Sequence, residues 1–242
     1  TVIQEKGEIH IALGKQLSGL KVTEDMVKNT MEKLGLDREH PDKWSDEELK
    51  NLAVTLRKQT KPLLIACNKI DIPTGEENFK RLMKQFPDRQ FVSCSSESEL
   101  ALKEANKAGL IEYLPGEKDF VIKDENKLNP AQKRGLEFIR ENVLQKFGST
   151  GVQQALDAAV FELLGYLAIF PGGVSKLEDS EGRVLPDCFL LPPKSTALDF
   201  AYKLHTDLGN NFICAKDVKT KRTIGKEYLL KNRDVVEIVA GK

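Results

Sequence analysis

The sequence predicts an α/β protein with three parts, and a different pattern marks each part. Residues 1–60 contain helical segments that are amphipathic and heavily charged on their outer faces. Residues 61–165 begin with two short apolar strands, each followed by a polar loop and a helix, which is the rhythm of a doubly wound parallel sheet. In residues 166–242, short apolar segments surround one helical stretch, which predicts a small α+β domain.

The bulk composition fits a folded protein of a reducing compartment. The chain has 242 residues, 40% of them hydrophobic, and its 37 basic residues balance 37 acidic ones, so net charge neither favours nor excludes a nucleic-acid partner. The four cysteines are scattered without metal-ligand spacing, which argues against a disulfide framework or a zinc site. Because the sequence has neither a run of about 18 apolar residues nor an apolar signal-peptide core, we expect a cytoplasmic protein without a membrane span.

Capping residues define two helices of the first part. Thr23 is predicted to cap one helix, with Glu24 in its first turn and Gly35 just past its end. Ser45 and Glu48 have the spacing of a capping box, so a second helix is expected to begin directly after Ser45.

Two strands of the second part end at polar loops. The apolar segment 63–67 precedes the tetrapeptide 68–71, and the segment 90–94 precedes the serine-rich loop 95–98. Ligands of parallel α/β sheets bind at the carboxyl ends of the strands, where such loops lie. We therefore expect the two loops to face one ligand.

Helices are expected to follow both loops. Thr74 with Glu77, and Ser96 with Glu99, have the spacing of capping boxes, and the first of these helices should run to about Phe86.

Further helices are expected after a linker-like stretch, residues 114–128. Asn129 is predicted to cap a helix that has Pro130 at its first position and ends before Gly148. Thr150, three residues before Gln153, is predicted to begin the next one. In the third part, the sequence predicts a helix from Ser195 to about Gly209 and strands near residues 166–170, 188–191, 210–218, 222–225 and 235–241.

The tetrapeptide Asn68-Lys69-Ile70-Asp71 has side chains that suit a guanine base. Guanine presents a ring N–H and an exocyclic NH₂ side by side, and the Asp71 carboxylate could accept from both. Adenine lacks this donor pair and would leave the carboxylate incompletely satisfied. Asn and Asp residues after a strand are also typical of an ordinary turn, which is the alternative interpretation.

The other residues of the two loops complete this hypothesis. Asn68 would contact the opposite edge of the base and tie the loops together, and Lys69 would lay its aliphatic stem across the base or the sugar. Backbone N–H groups around Ser95 and Ser96 would donate to the guanine carbonyl.

Several segments resemble a known protein family. The motifs "CNKIDIP" and "FVSCSSESE" resemble the fourth and fifth guanine-recognition motifs of Ras-like GTPases, and the tail containing "ALDFAYKLHTDLG" resembles a TGS domain, a β-grasp module. Together with "AGLIEYLPG" and "FGSTGVQQAL", they resemble archaeal Obg-related GTPases of the YchF-like branch. The resemblance implies a partial Ras-like P-loop NTPase domain in residues 61–165, with 1–60 as a helical insertion and 166–242 as the TGS domain.

One motif of that family is absent. The phosphate-binding loop G-x-x-x-x-G-K-[ST] does not occur, and "GKQL" at 14–17 does not satisfy it. The resemblance implies that this chain is the C-terminal portion of a protein that hydrolyses GTP to GDP and phosphate, with Mg²⁺ bound only together with the N-terminal part. We expect the chain alone to be inactive, and no catalytic residue is assigned.

The resemblance leaves the nucleotide and the partner open. YchF-type relatives whose fourth motif ends in another acid tend to prefer ATP, whereas Asp71 implies GTP; an ATPase remains the alternative. Lys219, Lys221 and Arg222 lie in an expected hairpin of the tail, where solvated surface charge is one explanation. The resemblance implies another, contact with ribosomal RNA or tRNA through the TGS domain, and the chain could then be a non-catalytic RNA-binding adaptor.

Overall fold

The computed structural model describes residues 8–178 and 181–241, so the first seven residues of the predicted helical part lie outside the described residues. It divides the chain into two compact units, Thr1–Leu63 and Leu64–Lys242. The boundary falls directly before the first strand.

The first unit is helical, as expected. Its helices are α1 (Ile9–Gln16), α2 (Glu24–Leu34) and α3 (Asp46–Thr60). The predicted caps are confirmed, because Thr23 accepts a hydrogen bond from the Met26 N–H, Gly35 is left-handed at the end of α2, and the Ser45 capping box is formed. Helices α2 and α3 and the residues that flank α2 supply the core of this unit, against which α1 packs; the core is formed by Val22, Val27, Met31, Leu36, Leu52 and Leu56.

The second unit opens with the expected order of strand, helix, strand and helix. These elements are β1 (Leu64–Cys67), α4 (Gly75–Gln85), β2 (Gln90–Ser93) and α5 (Ser96–Lys107). The two strands pair in parallel, with Leu64 opposite Gln90 and Cys67 opposite Ser93. The prediction of a parallel α/β arrangement is therefore confirmed.

Two predicted capping boxes are wrong in detail. Thr74 precedes α4, but its backbone is already helical and its side chain makes no capping hydrogen bond. Helix α5 is capped one residue earlier than expected, by Ser95, whose Oγ accepts from the Ser98 N–H at 3.4 Å. Glu99 does not return to the helix start, because its carboxylate binds two hydroxyl groups elsewhere.

The stretch predicted as a linker is packed structure. Strand β3 (Ile111–Glu112) pairs antiparallel with β4 (Val121–Ile122), and Phe120 is buried. The Arg140 guanidinium lies 4.1 Å from the Phe120 ring and donates to the Phe120 carbonyl at 2.7 Å. These contacts fix the stretch against the following helix, which the local composition could not reveal.

One long helix then covers the small hairpin of β3 and β4. It comprises α6 (Pro130–Ile139), a π-helical segment (Arg140–Leu144) and α7 (Gln145–Phe147), and it ends at the left-handed Gly148. The Asn129 cap and the Gly148 end are confirmed. The core here consists of Leu102, Ile111, Tyr113, Phe120, Leu128, Leu136, Ile139, Val143 and Leu144.

The next helix begins later than predicted. Helix α8 (Val152–Asp157) continues as a π-helical segment (Ala158–Leu163), and its N-cap residue is Gly151. Thr150 does not cap it, because the Thr150 hydroxyl donates to Glu99 at 2.6 Å.

The last part of the chain forms a five-stranded mixed sheet. Its strands are β5 (Leu167–Pro171), β6 (Phe189–Leu191), β7 (Phe212–Asp217), β8 (Arg222–Ile224) and β9 (Val235–Ala240). Their order is β6-β5-β9-β7-β8, and β5 runs parallel to β9 while the other pairs are antiparallel. The expected small α+β domain is thereby confirmed.

The helix of this domain is interrupted. It forms α9 (Ala197–Leu204) and α10 (Thr206–Asn210), separated by His205 in an extended conformation. Its N-cap is Thr196, one residue after the predicted Ser195, and Asp199 completes a capping box. Phe200 of α9 is fully buried against the sheet and meets Phe189 edge to face.

Within the described ranges, no helix has both the length and the apolar character to cross a bilayer.

Candidate functional site

The two polar loops lie side by side at the carboxyl ends of β1 and β2. The Cys94 N–H donates to the Cys67 carbonyl at 3.0 Å, which extends the strand pairing by one step. The Ile70 N–H then donates to the Cys94 carbonyl at 3.1 Å, and the Ile70 side chain is buried. The tetrapeptide is therefore fixed to the end of the neighbouring strand.

Asn68 ties the two loops together. Its Oδ1 accepts from the Lys69 N–H at 2.8 Å and from the Ser96 N–H at 3.0 Å. Its Nδ2 group has no acceptor among the described residues and can donate to a ligand. The side chain thus has both the bridging geometry and the free donor that the hypothesis requires.

Asp71 has a free carboxylate. The residue is half-buried, and its oxygens accept no hydrogen bond and form no ion pair within the part of the chain that the structure describes. An ionised carboxylate offers about four acceptor positions on two oxygens. Asp71 can therefore accept two adjacent donors of a ligand without breaking a contact within the protein.

Lys69 has an unusual backbone. Its φ of +65° lies in the left-handed region, which costs a non-glycine residue roughly 1–2 kcal/mol. The hydrogen bond from its N–H to Asn68 holds this conformation. Its side chain is exposed, as an aliphatic stem across a base or sugar would require.

Ser95 and Ser96 differ from the prediction. The Ser95 N–H donates to the Thr150 carbonyl at 2.8 Å, and the Ser96 N–H donates to Asn68, so both groups already have acceptors in the protein. Ser95 is also fully buried. In the first turn of α5, the Glu97 N–H has no acceptor among the described residues and is available to a ligand oxygen.

Gly75 is a contributor that sequence reasoning missed. A Cβ atom at this position would lie 2.3 Å from the Lys69 carbonyl oxygen and 3.0 Å from the Ile70 Cα. Only glycine therefore lets the start of α4 approach the tetrapeptide this closely. The signal in the sequence was a glycine at the first position of a helix, directly after Pro73 and Thr74.

A buried carboxylate lies behind the serine-rich loop. Glu99 Oε2 accepts from the Tyr113 hydroxyl at 2.8 Å and from the Thr150 hydroxyl at 2.6 Å, and all three residues are buried. Burial and the hydrogen bond to Glu99 raise the pKa of Tyr113 to about 12, so the phenol stays protonated and keeps donating. Neither Tyr113 nor Thr150 was expected at the site.

The cysteines near the loops have the character of small packing residues. Cys67, the last residue of β1, and Cys94, directly after β2, are free thiols, and burial raises the pKa of both. A raised pKa disfavours the reactive thiolate. Across the described residues, no group of three His, Cys, Asp or Glu side chains is placed to hold a metal ion.

The basic residues of the tail lie at the turn between β7 and β8. Lys219 donates from Nζ to the Arg233 carbonyl at 2.7 Å, which fixes its ammonium group to the domain. Lys221, with φ of +58°, and Arg222 are exposed and form no ion pair with any described residue. The hairpin therefore presents two free positive charges.

Two family profiles match this chain. The first, described as "Obg-like GTPase YGR210-like, G4 motif-containing domain", covers residues 66–173 and so includes both loops. The second, "TGS domain", covers residues 180–240.

Individual proteins match over longer stretches. An uncharacterised GTP-binding protein of Methanocaldococcus jannaschii is 44% identical over 98% of this chain and 59% of its own length. One of Schizosaccharomyces pombe is 28% identical over 76% of this chain and 47% of its own length. The crystal structure of a GTP binding protein from Pyrococcus horikoshii OT3 is similar, with a TM-score of 0.69, 37% identity, and coverage of 98% of this chain and 62% of that one.

The chain thus spans about half to three-fifths of the length of these relatives. The resemblance read from the motifs "CNKIDIP" and "FVSCSSESE" is confirmed. Residues 66–173 of this chain form a YGR210-like, G4 motif-containing domain of the Obg-like GTPase type, and residues 180–240 form a TGS domain.

Proposed function

We propose that this chain recognises the base of a guanine nucleotide, and that Asp71 distinguishes guanine from adenine. The observation that carries the proposal is the free, half-buried carboxylate of Asp71, which directly follows Ile70, the residue whose N–H is hydrogen-bonded to Cys94 beside the second loop. A carboxylate left without a partner at such a position is suited to a ligand that brings two donors.

The remaining groups of the loops fit the rest of the base. Guanine would donate its ring N–H and exocyclic NH₂ to Asp71 as a charge-assisted pair. The Asn68 Nδ2 group would donate to the opposite edge, and the Lys69 stem would cover the base or sugar. The free N–H of Glu97 would donate to the guanine carbonyl, in place of the N–H groups of Ser95 and Ser96.

The relatives named GTP-binding proteins support guanine as the base. We further propose that GTP is hydrolysed to GDP and phosphate by a longer protein of this kind. The sequence has no G-x-x-x-x-G-K-[ST] loop, whose backbone N–H groups would hold the phosphates. Base recognition is therefore the role assigned to these residues.

Base selectivity tests this proposal. In an NMR titration of the chain with GDP and with ADP, we expect GDP to shift the backbone signals of Asn68, Asp71 and Glu97, and ADP to leave them unchanged. Removing a hydrogen-bonded charged acceptor costs about 1.5–3 kcal/mol, so Asp71→Asn should weaken GDP binding at least about tenfold. The matched control is Asp88→Asn, the same change at an exposed turn. Equal shifts by both nucleotides, or equal affinities of the two variants, would refute the proposal.

We also propose that the β7–β8 turn contacts RNA phosphate, through Lys221 and Arg222, with Lys219 fixing the turn. The two unpaired exposed cations favour this function, because lysine and arginine supply most of the affinity for nucleic-acid backbones. Ribosomal RNA and tRNA are the candidate partners.

Unfractionated tRNA is a direct probe of this second function. The double variant Lys221→Ala/Arg222→Ala should weaken tRNA binding and reduce its salt dependence, whereas Lys103→Ala/Lys107→Ala on α5 removes the same number of exposed charges and should change neither. If the two double variants bind tRNA equally well, the turn is solvated surface only.

A further inference from the structure

We propose that residues 146–151, here called the bracing segment, hold the two base-recognition loops in register, and that Lys146, Thr150 and Gly151 are its positioning residues. This inference rests on the proposed base recognition, and it adds residues that lie outside the two loops. The segment comprises the last two residues of α7 and the loop that leads to α8, and it contacts the start of α4 through Lys146 and the serine-rich loop through Thr150.

Thr150 holds the serine-rich loop with two groups. Its carbonyl accepts from the Ser95 N–H at 2.8 Å, and its hydroxyl donates to Glu99 at 2.6 Å. Ser95 caps α5 and Glu99 lies in the first turn of α5, so Thr150 is hydrogen-bonded to the start of this helix at both residues. The first turn of α5 also carries the Ser96 and Glu97 N–H groups.

Glu99 makes the hydroxyl of Thr150 difficult to replace. This carboxylate is 5% exposed and has no cationic partner among the described residues; its hydrogen bonds come from Thr150 and Tyr113. A buried acceptor that loses a donor is left incompletely hydrogen-bonded, which lowers the stability of the fold. The orientation of Thr150 is therefore strongly constrained.

Gly151 brings the bracing segment against the end of β2. A Cβ atom here would lie 1.9 Å from the Ser93 carbonyl oxygen and 2.9 Å from the Cys94 Cα. The φ of Gly151 is +78°, which side-chain-bearing residues rarely adopt. Glycine is required for both reasons, and the strand end that precedes Ser95 is packed directly on the segment.

Lys146 reaches the side of the tetrapeptide. Its Nζ lies 2.8 Å from Glu76 Oε2, and Glu76 follows Gly75, which packs on the Lys69 carbonyl. Lys80 forms a second ion pair with Glu76 at 2.6 Å. The bracing segment thus contacts the start of α4 with one end and the start of α5 with the other.

This arrangement has a consequence for base recognition. Asp71 and the Glu97 N–H belong to different loops and must match two atoms of one rigid base. Because hydrogen bonds need donor–acceptor distances of about 2.7–3.2 Å, a displacement of one loop by about 1 Å would break one of these contacts. Asn68 joins the two loops directly, and the bracing segment holds the start of the helix that follows each loop.

The test compares Thr150→Val with Tyr113→Phe in the full chain. Both changes delete one hydroxyl that donates to Glu99. Valine keeps the residue-150 carbonyl that accepts from Ser95, but it removes the hydroxyl that anchors this residue to Glu99 of α5, whereas Tyr113 makes no hydrogen bond to Ser95. We expect both to lower thermal stability to a similar extent. Thr150→Val should in addition weaken GDP binding about fivefold or more and speed amide hydrogen exchange at Ser95 and Ser96 about tenfold, whereas Tyr113→Phe should change these readouts less than about twofold.

The outcomes distinguish a failure of the bracing role from a failure of base recognition. If GDP does not shift the loop signals of the unaltered chain, base recognition is wrong, but hydrogen exchange still decides whether the segment braces the loops. If the two variants change exchange at Ser95 and Ser96 equally, the bracing role is wrong. Should Thr150→Val not fold, Lys146→Met tests the bracing role at the other end of the segment, where Lys146 binds Glu76. This change should speed hydrogen exchange at the Ile70 amide, and unchanged exchange there would show that the bracing role is wrong.

Discussion

At the scale of single residues, Asn68 has two separable roles. Its Oδ1 bridges the loops and its Nδ2 is free for a ligand. An aspartate keeps the acceptor but loses the donor, and an alanine loses both. We therefore expect Asn68→Asp to keep the Ser96 amide protected from hydrogen exchange while GDP binding weakens, and Asn68→Ala to lose both. Exchange rates of the Ser96 amide, measured by NMR, check this; equal exchange in the two variants would contradict it.

The sequence shows the chemistry of the tetrapeptide side chains but not the hydrogen bonding of the backbone donors in the second loop. The amide of Asn68 and the carboxylate of Asp71 are visible in the residue type, and their role in base recognition stays a prediction. The acceptor of the Ser95 N–H could not be identified from the sequence, because it is the carbonyl of Thr150, distant in sequence and brought close only by folding. The Glu97 N–H could not be chosen from the sequence either. It becomes the candidate donor only because the N–H groups of Ser95 and Ser96 already have acceptors in the folded protein.

At the scale of secondary-structure elements, the approach of α4 to the tetrapeptide depends on Gly75. In Gly75→Ala the added methyl group meets the Lys69 carbonyl, and overpacking of this kind costs about 1–3 kcal/mol. Gly135→Ala is the matched control, because it lies within α6 with open space around its Cβ position and should stabilise the helix by about 0.5–1 kcal/mol. Thermal unfolding of the two variants measures this; shifts of the same sign would contradict the packing argument.

The contact between α4 and α7 should depend on pH. The hydrogen bonds and charges of Lys146 and Lys80 lower the pKa of Glu76 from 4.5 to about 2. Because the folded-state pKa is depressed, the stabilising contribution is present above pH 4.5 and is lost as the pH falls from 4.5 towards 2.

Lys146→Met should raise the pKa of Glu76 back towards 4.5, which a carboxyl-detected NMR titration measures directly. Since both partners are partly exposed, high salt should reduce the shift in the unaltered chain. A Glu76 pKa that is the same in both proteins would show that Lys146 does not hold it.

Helix boundaries were predictable where capping is local. The Ser45 and Asn129 capping boxes involve residues three apart and formed as expected. The capping boxes expected at Thr74 and Ser96 did not form. Glu99 accepts hydrogen bonds from Tyr113 and Thr150 instead, and Thr74 already has helical backbone angles. Competition from tertiary contacts, which a short sequence window does not contain, explains these errors.

At the scale of the whole molecule, the order of elements was predictable and their packing was not. The βα alternation and the run of short strands indicate the parallel pair and the mixed sheet, because each depends on local periodicity. Other features depend on contacts between segments whose local sequence is typical of a loop. These are the pairing of β3 with β4 and the packing of the Arg140 guanidinium on the Phe120 ring. The same is true of the bracing segment, whose residues carry no motif for their role.

The central claim is that the Asp71 carboxylate reads two donors of guanine, and a change of base preference tests it most directly. Xanthine has a carbonyl where guanine has the exocyclic NH₂, so an amide at residue 71 can donate where the carboxylate accepted. We expect Asp71→Asn to bind XDP in preference to GDP, and the unaltered chain to show the opposite order, in parallel NMR titrations. Retention of the GDP preference by Asp71→Asn would contradict the account.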